Sequence, residues 1–394
     1  MSRPRWLLPV VVALGLRLLA VAASDRVVAD VRIYQRVGQQ ALAGAWNTYE
    51  PSARSYLYPP LWVWAEAGAE WLHRAVPSVG YAVWVKLPIV AADALIVVLL
   101  SGLGARLGVG TLPAWLFALH PVSLLITGFQ GQFDSIALLF VLLALDTHAR
   151  GRHDRSALAL CAGIATKSFP VLLLPFFLVR CPTRRGALRF LALATLPGAV
   201  LLVPYALDNL EALRRELFEY GGFADFGWIG LVRGVRWLLT GELQRSEPPH
   251  WGALVPLAKS LYLSVYALLF VGFARGFLRF TLPQAALAVF VSFLALYGSV
   301  SAQCLVWVVP IGVLYPRSLL IAHAVSATLS LLGFYAFLHP GVLFPAGSPL
   351  AWDPKRAGVA WVAGVFLLTL VCAAWLVNLV YEGRRAPAGS PDQG

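Results

Sequence analysis

Charged residues are scarce in this sequence: Asp, Glu, Lys and Arg make up 13% of its 394 residues. Soluble domains carry about 25% charged residues, so most of this chain cannot face water. Hydrophobic residues make up 59% of the chain, and its mean hydropathy is +0.73. Several apolar runs reach the roughly 17–25 residues that a membrane-spanning helix needs. The composition excludes an ordinary soluble protein and predicts an all-α polytopic membrane protein.

Cysteine is also scarce. The four cysteines lie in or beside apolar runs and show no paired spacing; they are Cys161, Cys181, Cys304 and Cys372. This pattern predicts neither a disulfide framework nor a zinc site. The seven histidines show no metal-ligand spacing, so we expect no metal site from them.

Acidic residues are outnumbered by basic ones, which gives a net charge of +12. Of the 31 basic residues 27 are arginines, and many lie in short loops between apolar runs. Such loops orient membrane helices and contact anionic lipid headgroups. We therefore expect membrane lipids as partners and no nucleic acid. The Arg-, Ala-, Leu- and Gly-rich composition favours a bacterial protein of the cell (plasma) membrane.

If the short arginine-rich loops face the cytoplasm, the apolar runs give about twelve transmembrane helices with both termini inside. The predicted spans are 5–23, 82–104, 111–127, 132–147, 156–167, 169–180, 187–206, 254–273, 282–298, 303–316, 318–338 and 358–381. The first run resembles a signal peptide, but the spans behind it favour a retained helix. Residues 156–180 allow only about 18 Å for each of two crossings of a core near 30 Å. That segment is either a broken, re-entrant pair of helices, or it does not cross the membrane twice as the topology above assumes.

The sequence predicts one integral-membrane domain, 1–381, followed by a disordered cytoplasmic tail, 382–394. Two long segments, 24–81 and 207–253, are expected on the external side. Within the first, residues 59–73 are expected to lie on the outer interface or to dip in and return. No internal repeat suggests the two halves of a transporter.

Polar residues from five separate segments fall on the external side of this topology, and their convergence suggests a site. They are Asp30, Tyr58, the turn residues Gln130, Gln132 and Asp134, Lys167, and Gln303, which Trp307 follows.

Most of these residues also have a structural interpretation. Asp30 can cap a helix or act as a general base above the bilayer, and both roles can hold together. Asp134 can complement a helix dipole. Two glutamines in one turn suit sugar hydroxyls, because each amide has two donors and an acceptor. Gln303 can cap a span, and Trp307 can lie in the aromatic belt.

Lys167 is the sharpest single candidate. A lysine near mid-bilayer costs about 2.5–3.5 kcal/mol on insertion scales, so it either snorkels to the interface or has a function. Here it precedes a proline-containing break, "KSFP", which suits a phosphate clamp. Asp93 and Arg17, in predicted spans, are expected to be structural, with Asp93 forming hydrogen bonds between helices.

Seven motifs in order, over about residues 30–310, resemble those of integral-membrane glycosyltransferases of the GT-C fold. The likeness is to the branch that uses lipid-phosphate sugars: the dolichyl-phosphate-glucose glucosyltransferases, the mannosyltransferases of GPI-anchor synthesis, and their bacterial polyprenyl counterparts. The motifs are Asp30, Tyr58-Pro59-Pro60-Leu61, Ala92-Asp93-Ala94-Leu95-Ile96, His120-Pro121, Gly131-Gln132-Phe133-Asp134, Lys167, and Gln303 with Trp307. The eukaryotic glucosyltransferases carry His-Phe-Gln where this chain has Gln132-Phe133-Asp134, which favours the bacterial or mannosyl-type branch.

The resemblance implies an inverting transfer of a hexose, with mannose favoured, from a polyprenyl-phosphate donor to a lipid-linked or envelope glycan acceptor. It implies an active site on the extracytoplasmic side, with Asp30 as the base and Lys167 stabilising the phosphate. The implied donor- and acceptor-binding residues are Tyr58, Gln130, Gln132, Asp134, Lys167, Gln303 and Trp307. The resemblance implies no definite cofactor; a divalent cation at Asp134, or Asp134 as the base itself, stays open.

Two other classes of protein also stay open. A polytopic transporter or flippase of a lipid-linked sugar would line its path with the same groups, and would carry polar residues through the depth of several helices. A non-catalytic scaffold would leave Asp30 and Lys167 replaceable. A nucleotide-sugar donor is disfavoured, because the sequence contains no Rossmann-like soluble domain.

Overall fold

The computed structural model describes residues 6–24, 29–49, 58–218, 222–246, 248–315, 317–343 and 348–385. These residues form helices and connecting turns, and no β-strand occurs among them. The all-α class predicted from the sequence is therefore confirmed. The chain divides into two compact units, Met1–Leu119 with Ser123–Tyr220, and His120–Val122 with Gly221–Gly394.

The described residues of the first half of the chain form ten helices of different lengths. They are α1 (Leu7–Ala23), α2 (Ala29–Leu42), α3 (Leu61–Ala75), α4 (Tyr81–Arg106), α5 (Leu112–Ala118), α6 (Pro121–Phe129), α7 (Asp134–Ala149), α8 (His153–Thr166), α9 (Phe169–Val179) and α10 (Arg184–Phe218). The backbone of α10 leaves the helical region at Asn209, whose side chain accepts a hydrogen bond from the Ala212 amide at 2.9 Å. Asn209 thus caps a second helical segment inside α10.

The described residues of the second half are also helical. Its helices are α11 (Gly227–Thr240), α12 (Leu254–Ala274), α13 (Leu282–Leu296), α14 (Ala302–Gly312), α15 (Arg317–Leu338), α16 (Pro340–Leu343) and α17 (Pro354–Arg385). Thr281 and Gln284 form a capping box that starts α13. Gly333 of α15 lies against the backbone of Trp361, and Gly364 of α17 lies against Ser330, so α15 and α17 pack closely. Small residues permit such an approach between membrane helices.

Five helices of the described chain are long and apolar enough to cross a membrane: α4, α10, α12, α15 and α17. A sixth is counted if α5 and α6, bent by 43° relative to each other, form one broken span. This agrees with a polytopic membrane protein, but the expected number of about twelve spans is wrong. The reason is length: apolar runs read as full spans form helices of at most 17 residues, as in α1, α9, α13 and α14.

The break expected within residues 156–180 is present. Helix α8 ends at Thr166, Lys167 has an extended backbone (φ −151°, ψ 139°), and a 3₁₀ turn begins at Phe169. Pro170 has no amide hydrogen to donate to the Thr166 carbonyl, so the hydrogen-bond ladder of α8 cannot continue through it. The sequence therefore places Lys167 outside regular helix.

The segments read as external loops are largely helical. Segment 24–81 contains α2 and α3, and α3 covers most of the stretch 59–73. Segment 207–253 contains the end of α10 and all of α11. Helix α17 continues to Arg385, so the boundary of the tail moves there; residues 386–394 lie outside the described residues.

Candidate functional site

A buried ion pair holds the helices around the candidate site. Arg17 of α1 and Asp93 of α4 are both fully buried and form a salt bridge. Arg17 also donates to the Ser123 hydroxyl at 2.8 Å and to the Ala118 carbonyl at 3.1 Å, and Thr127 donates to Asp93. The pair therefore joins α1 and α4 to α5 and α6, the structural role expected for both residues.

The polar turn begins where α6 ends in a π-helical segment, Leu124–Phe129. The Gln130 amide donates to the Leu125 carbonyl at 2.9 Å, and the Gln132 amide donates to the Ile126 carbonyl at 3.0 Å. Gly131 between them has φ of 75°, a value that glycine adopts without strain. The wide π turn and this glycine reverse the chain and direct Gln132 into the protein, where it is buried. π-helical turns are frequent at functional sites.

Gln132 joins two side chains of α2. Its Nε2 donates to Asp30 Oδ2, and its Oε1 accepts from the Tyr34 hydroxyl at 3.3 Å. Asp30 lies in the first turn of α2 and is half-buried, so the helix dipole favours its negative charge. The role expected for Asp30 at a helix terminus is thus compatible with its hydrogen bond to Gln132.

Lys167 pairs with Asp134. Lys167 Nζ lies 2.5 Å from Asp134 Oδ2, and the side chains are 9% and 0% exposed. The ammonium also lies 4.6 Å from the centre of the Phe133 ring and 5.2 Å from that of Tyr58. Lys167 is therefore held by a carboxylate and two aromatic faces rather than extended to the interface. Asp134 opens α7, so its expected contribution at a helix N-terminus also applies.

An aromatic cluster connects the two polar pairs. Phe133 stacks on Trp62 at 4.1 Å between ring centres and contacts Tyr58 edge-on at 4.8 Å. Tyr34 contacts Trp62 at 5.7 Å and Phe133 at 5.9 Å. Each such pair is worth about 0.5–1.5 kcal/mol beyond its burial. Because Phe133 sits between Gln132 and Asp134 in the sequence, this packing fixes both neighbours.

The tyrosine at the centre of the cluster stays protonated. Complete burial, with Tyr58, Asp30 and Glu66 nearby, raises the pKa of the Tyr34 phenol well above its usual value. The Tyr34 hydroxyl therefore donates to Gln132 across the physiological pH range. This orients the Gln132 amide so that its NH₂ group faces Asp30.

The structure brings five of the predicted site residues together in the first unit: Asp30, Tyr58, Gln132, Asp134 and Lys167. Gln130 is buried in the same turn. Gln303 and Trp307 belong to the second unit, where Gln303 is half-buried and Trp307 packs on Phe293 at 4.9 Å.

Sequence reasoning missed two fully buried residues. Lys86 lies against Gly131 of the polar turn, and Glu66 lies near Tyr34 of the aromatic cluster. The signal for Lys86 was available, because "YAVWVKLPIV" places a lysine in an apolar run. It also missed Arg233 of α11, which pairs with Asp225 at 2.7 Å beneath the Trp361 ring in the second unit.

Among the described residues, no group of three or more His, Cys, Asp or Glu side chains is arranged to hold a metal ion. Comparison with protein-family models finds no match, and comparison with curated proteins finds none either. The chemistry of the site therefore has to be argued from its own residues.

Proposed function

We propose that the chain is an inverting hexosyltransferase of the GT-C type, which transfers a sugar, with mannose favoured, from a polyprenyl phosphate to a lipid-linked or envelope glycan at the extracytoplasmic face of the cell membrane. One observation carries the proposal. A half-buried carboxylate, Asp30, accepts a hydrogen bond from Gln132, and a buried ammonium, Lys167, lies over the ring of Phe133, the next residue in the chain, and pairs with Asp134. A base and a cation in one desolvated cluster suit transfer from a phosphate leaving group.

In the proposed reaction, the oxygen of an acceptor hydroxyl attacks the anomeric carbon of the donor sugar. The bond from that carbon to the phosphate oxygen breaks, and its electron pair leaves with the polyprenyl phosphate. Asp30 takes the proton of the hydroxyl. A phosphate is a good leaving group, so the step needs charge stabilisation rather than a strong general acid.

Lys167 supplies that charge stabilisation in the proposal. Its ammonium is nearly excluded from solvent and lies against two aromatic faces, so its interaction with a phosphate is weakly screened. Gln132 and Asp134, with Tyr58 above the lysine, are the side chains suited to hold sugar hydroxyls. Gln130 belongs to the same binding set by its position in the turn.

The outer surface of α3 supports a lipid-linked substrate. Trp64 and Trp71 are 59% and 62% exposed, whereas Glu66 and Glu70 of the same helix are buried. In water this arrangement would be inverted, but tryptophan favours the headgroup region of a bilayer. Helix α3 also carries Trp62, which packs on Phe133, so a substrate held in the membrane interface would lie beside the cluster.

The test is transfer from radiolabelled polyprenyl-phosphate-mannose, and separately from the glucose donor, into acceptors of membranes that contain the protein. Wild type is compared with Asp30→Asn, which keeps the size of the side chain and removes its basicity. Asp208→Asn is the matched control, because Asp208 is a carboxylate of the same unit hydrogen-bonded to Asn47. We expect transfer by wild type and the control and at least a 100-fold lower rate in Asp30→Asn, in line with the range for general base catalysis.

Equal transfer by wild type and Asp30→Asn would remove Asp30 as the base and point to Asp134. Absence of transfer from both donors, with labelled donor instead translocated across proteoliposomes, would favour a flippase. Two of the buried cations, Arg17 and Lys167, are paired with buried carboxylates, which argues for the enzyme over a polar transport path.

A further inference from the structure

Lys86 is a buried cation that the proposed mechanism does not use. It lies in the second turn of α4, a candidate membrane span, and is fully buried. Its Nζ donates to the Ser24 hydroxyl at 2.7 Å, to the Ser24 carbonyl at 3.2 Å and to the Phe129 carbonyl at 2.7 Å. A lysine ammonium has three N–H donors, and these acceptors, from two separate segments, all belong to the protein.

The acceptors lie at the ends of the two segments that lead to the Asp30–Gln132 hydrogen bond. Ser24 is the C-terminal cap of α1, six residues before Asp30. Phe129 is the last residue of α6, three residues before Gln132. One ammonium therefore ties together both chain segments just ahead of these two side chains.

The aliphatic part of Lys86 is fitted to the polar turn. A Cβ atom at Gly131 would lie 2.8 Å from Lys86 Cε and 3.0 Å from Cγ, closer than side chains pack. Gly131 also has φ of 75°, which disfavours other residues. The turn thus approaches the lysine stem by its backbone, and the stem limits how the turn can move.

We propose that Lys86 is a positioning residue that holds the turn 130–133 and the C-terminal end of α1 in register, so that Gln132 keeps its hydrogen bond to Asp30. This inference rests on the proposed function for its effect on rate, but the clamp itself is a property of the fold. Lys86 does not contact substrate. It differs in this from Lys167, whose ammonium faces Tyr58 and Phe133 within the candidate site.

The test variant is Lys86→Met, which keeps an unbranched apolar stem against Gly131 and removes the three donors. Lys355→Met, at an exposed lysine near the start of α17, is the matched control. Two measurements are made on the full chain in nanodiscs: amide hydrogen exchange of peptides covering 124–133, and transfer kinetics. The double variant Lys86→Met with Gln132→Ala is measured alongside.

We expect exchange in 124–133 to be at least 10-fold faster in Lys86→Met than in wild type, with no change in Lys355→Met. We expect kcat to fall by about 10–100-fold with little change in the donor KM, as a displacement near 1 Å can cause. Because Lys86 acts through Gln132, the same substitution is expected to lower kcat by less than about 3-fold in the Gln132→Ala background.

Unchanged exchange would overturn the clamp, and equal effects of Lys86→Met in both backgrounds would overturn the action through Gln132. If wild type shows no transfer, the proposed function fails and the exchange result alone decides the clamp. Should Lys86→Met not fold, Ser24→Ala removes a single acceptor, and it is expected to raise exchange in 124–133 to a smaller extent.

Discussion

The Lys167–Asp134 pair allows a structural role to be separated from a catalytic one. The perturbation is a cycle of Lys167→Met, Asp134→Asn and the double variant. In wild type the two side chains are 9% and 0% exposed, and Nζ lies 2.5 Å from the carboxylate oxygen. Each buried charge of the pair is stabilised by the other. The loss of unfolding free energy in the double variant is therefore expected to differ from the sum of the losses in the two single variants.

The geometry sets the magnitudes. Lys167→Met removes the ion pair and both ring contacts and leaves the Asp134 carboxylate buried without its cation, so we expect a loss of about 3–5 kcal/mol. Asp134→Asn keeps both ring contacts, which are worth about 2 kcal/mol for a desolvated cation, and keeps an oxygen that can accept from the ammonium. Its expected cost is about 1–3 kcal/mol. The double variant contains no charge at either position of the pair, and is expected to be about 2–3 kcal/mol more stable than the sum of the singles implies.

The assay is the free energy of unfolding in detergent micelles, measured by titration with sodium dodecyl sulfate, together with the transfer rate at fixed amounts of folded protein. Lys259→Met, at a half-buried lysine on α12, is the control. We expect the double variant to recover stability and to stay inactive. Additive costs would refute the coupling of the pair. Recovery of transfer together with stability would refute the phosphate-binding role of Lys167.

Three further predictions concern residues outside the Lys167–Asp134 pair that support or surround the site. Arg17→Met is expected to lower stability by about 3–5 kcal/mol, because it leaves Asp93 buried without its cation; a loss below 1 kcal/mol in the same titration would contradict this. Gly131→Ala is expected to cost about 1–3 kcal/mol for its positive φ and its contact with Lys86, whereas Gly44→Ala, also at positive φ but with open space around it, should cost less. A nitroxide attached at Trp71→Cys is expected to be more accessible to oxygen dissolved in the bilayer than to a water-soluble nickel chelate, and the opposite preference would show that α3 faces water.

The sequence predicts helix bounds best where an apolar run is long and ends in charged residues or glycine. Helix α12 was expected at 254–273 and occurs at Leu254–Ala274, and α15 was expected at 318–338 and occurs at Arg317–Leu338. The break at Lys167 was expected because a proline follows it closely. These features are local, so a single sequence suffices for them.

The number of spans and the partners of the buried charges could not be read in this way. Apolarity does not distinguish a full span from a short helix packed inside the protein, so α13 and α14 were read as spans. The partners of Lys86 come from α1 and α6, more than 40 residues away from it along the chain. Only the fold brings a serine carbonyl and a phenylalanine carbonyl to one ammonium. Every residue has a backbone carbonyl, so no sequence pattern predicts which ones accept from Lys86.

Under the proposed function, the contacts of Gln132 and Asp134 explain how the site can be stable before a phosphate binds. Gln132 is occupied by Asp30 and Tyr34, and Asp134 is occupied by Lys167. A phosphate must therefore compete with Asp134 for the lysine. The phosphodiester of the proposed donor carries one negative charge, as the carboxylate does, whereas the departing polyprenyl phosphate carries up to two charges on three terminal oxygens, so Lys167 would favour the phosphate most as the bond to the sugar breaks. Since the cost of burying Lys167 is met within the protein before substrate arrives, the cation is already desolvated and oriented when the phosphate reaches it. The helix-terminal role of Asp134 and the proposed role of Lys167 are thus consequences of one arrangement rather than alternatives.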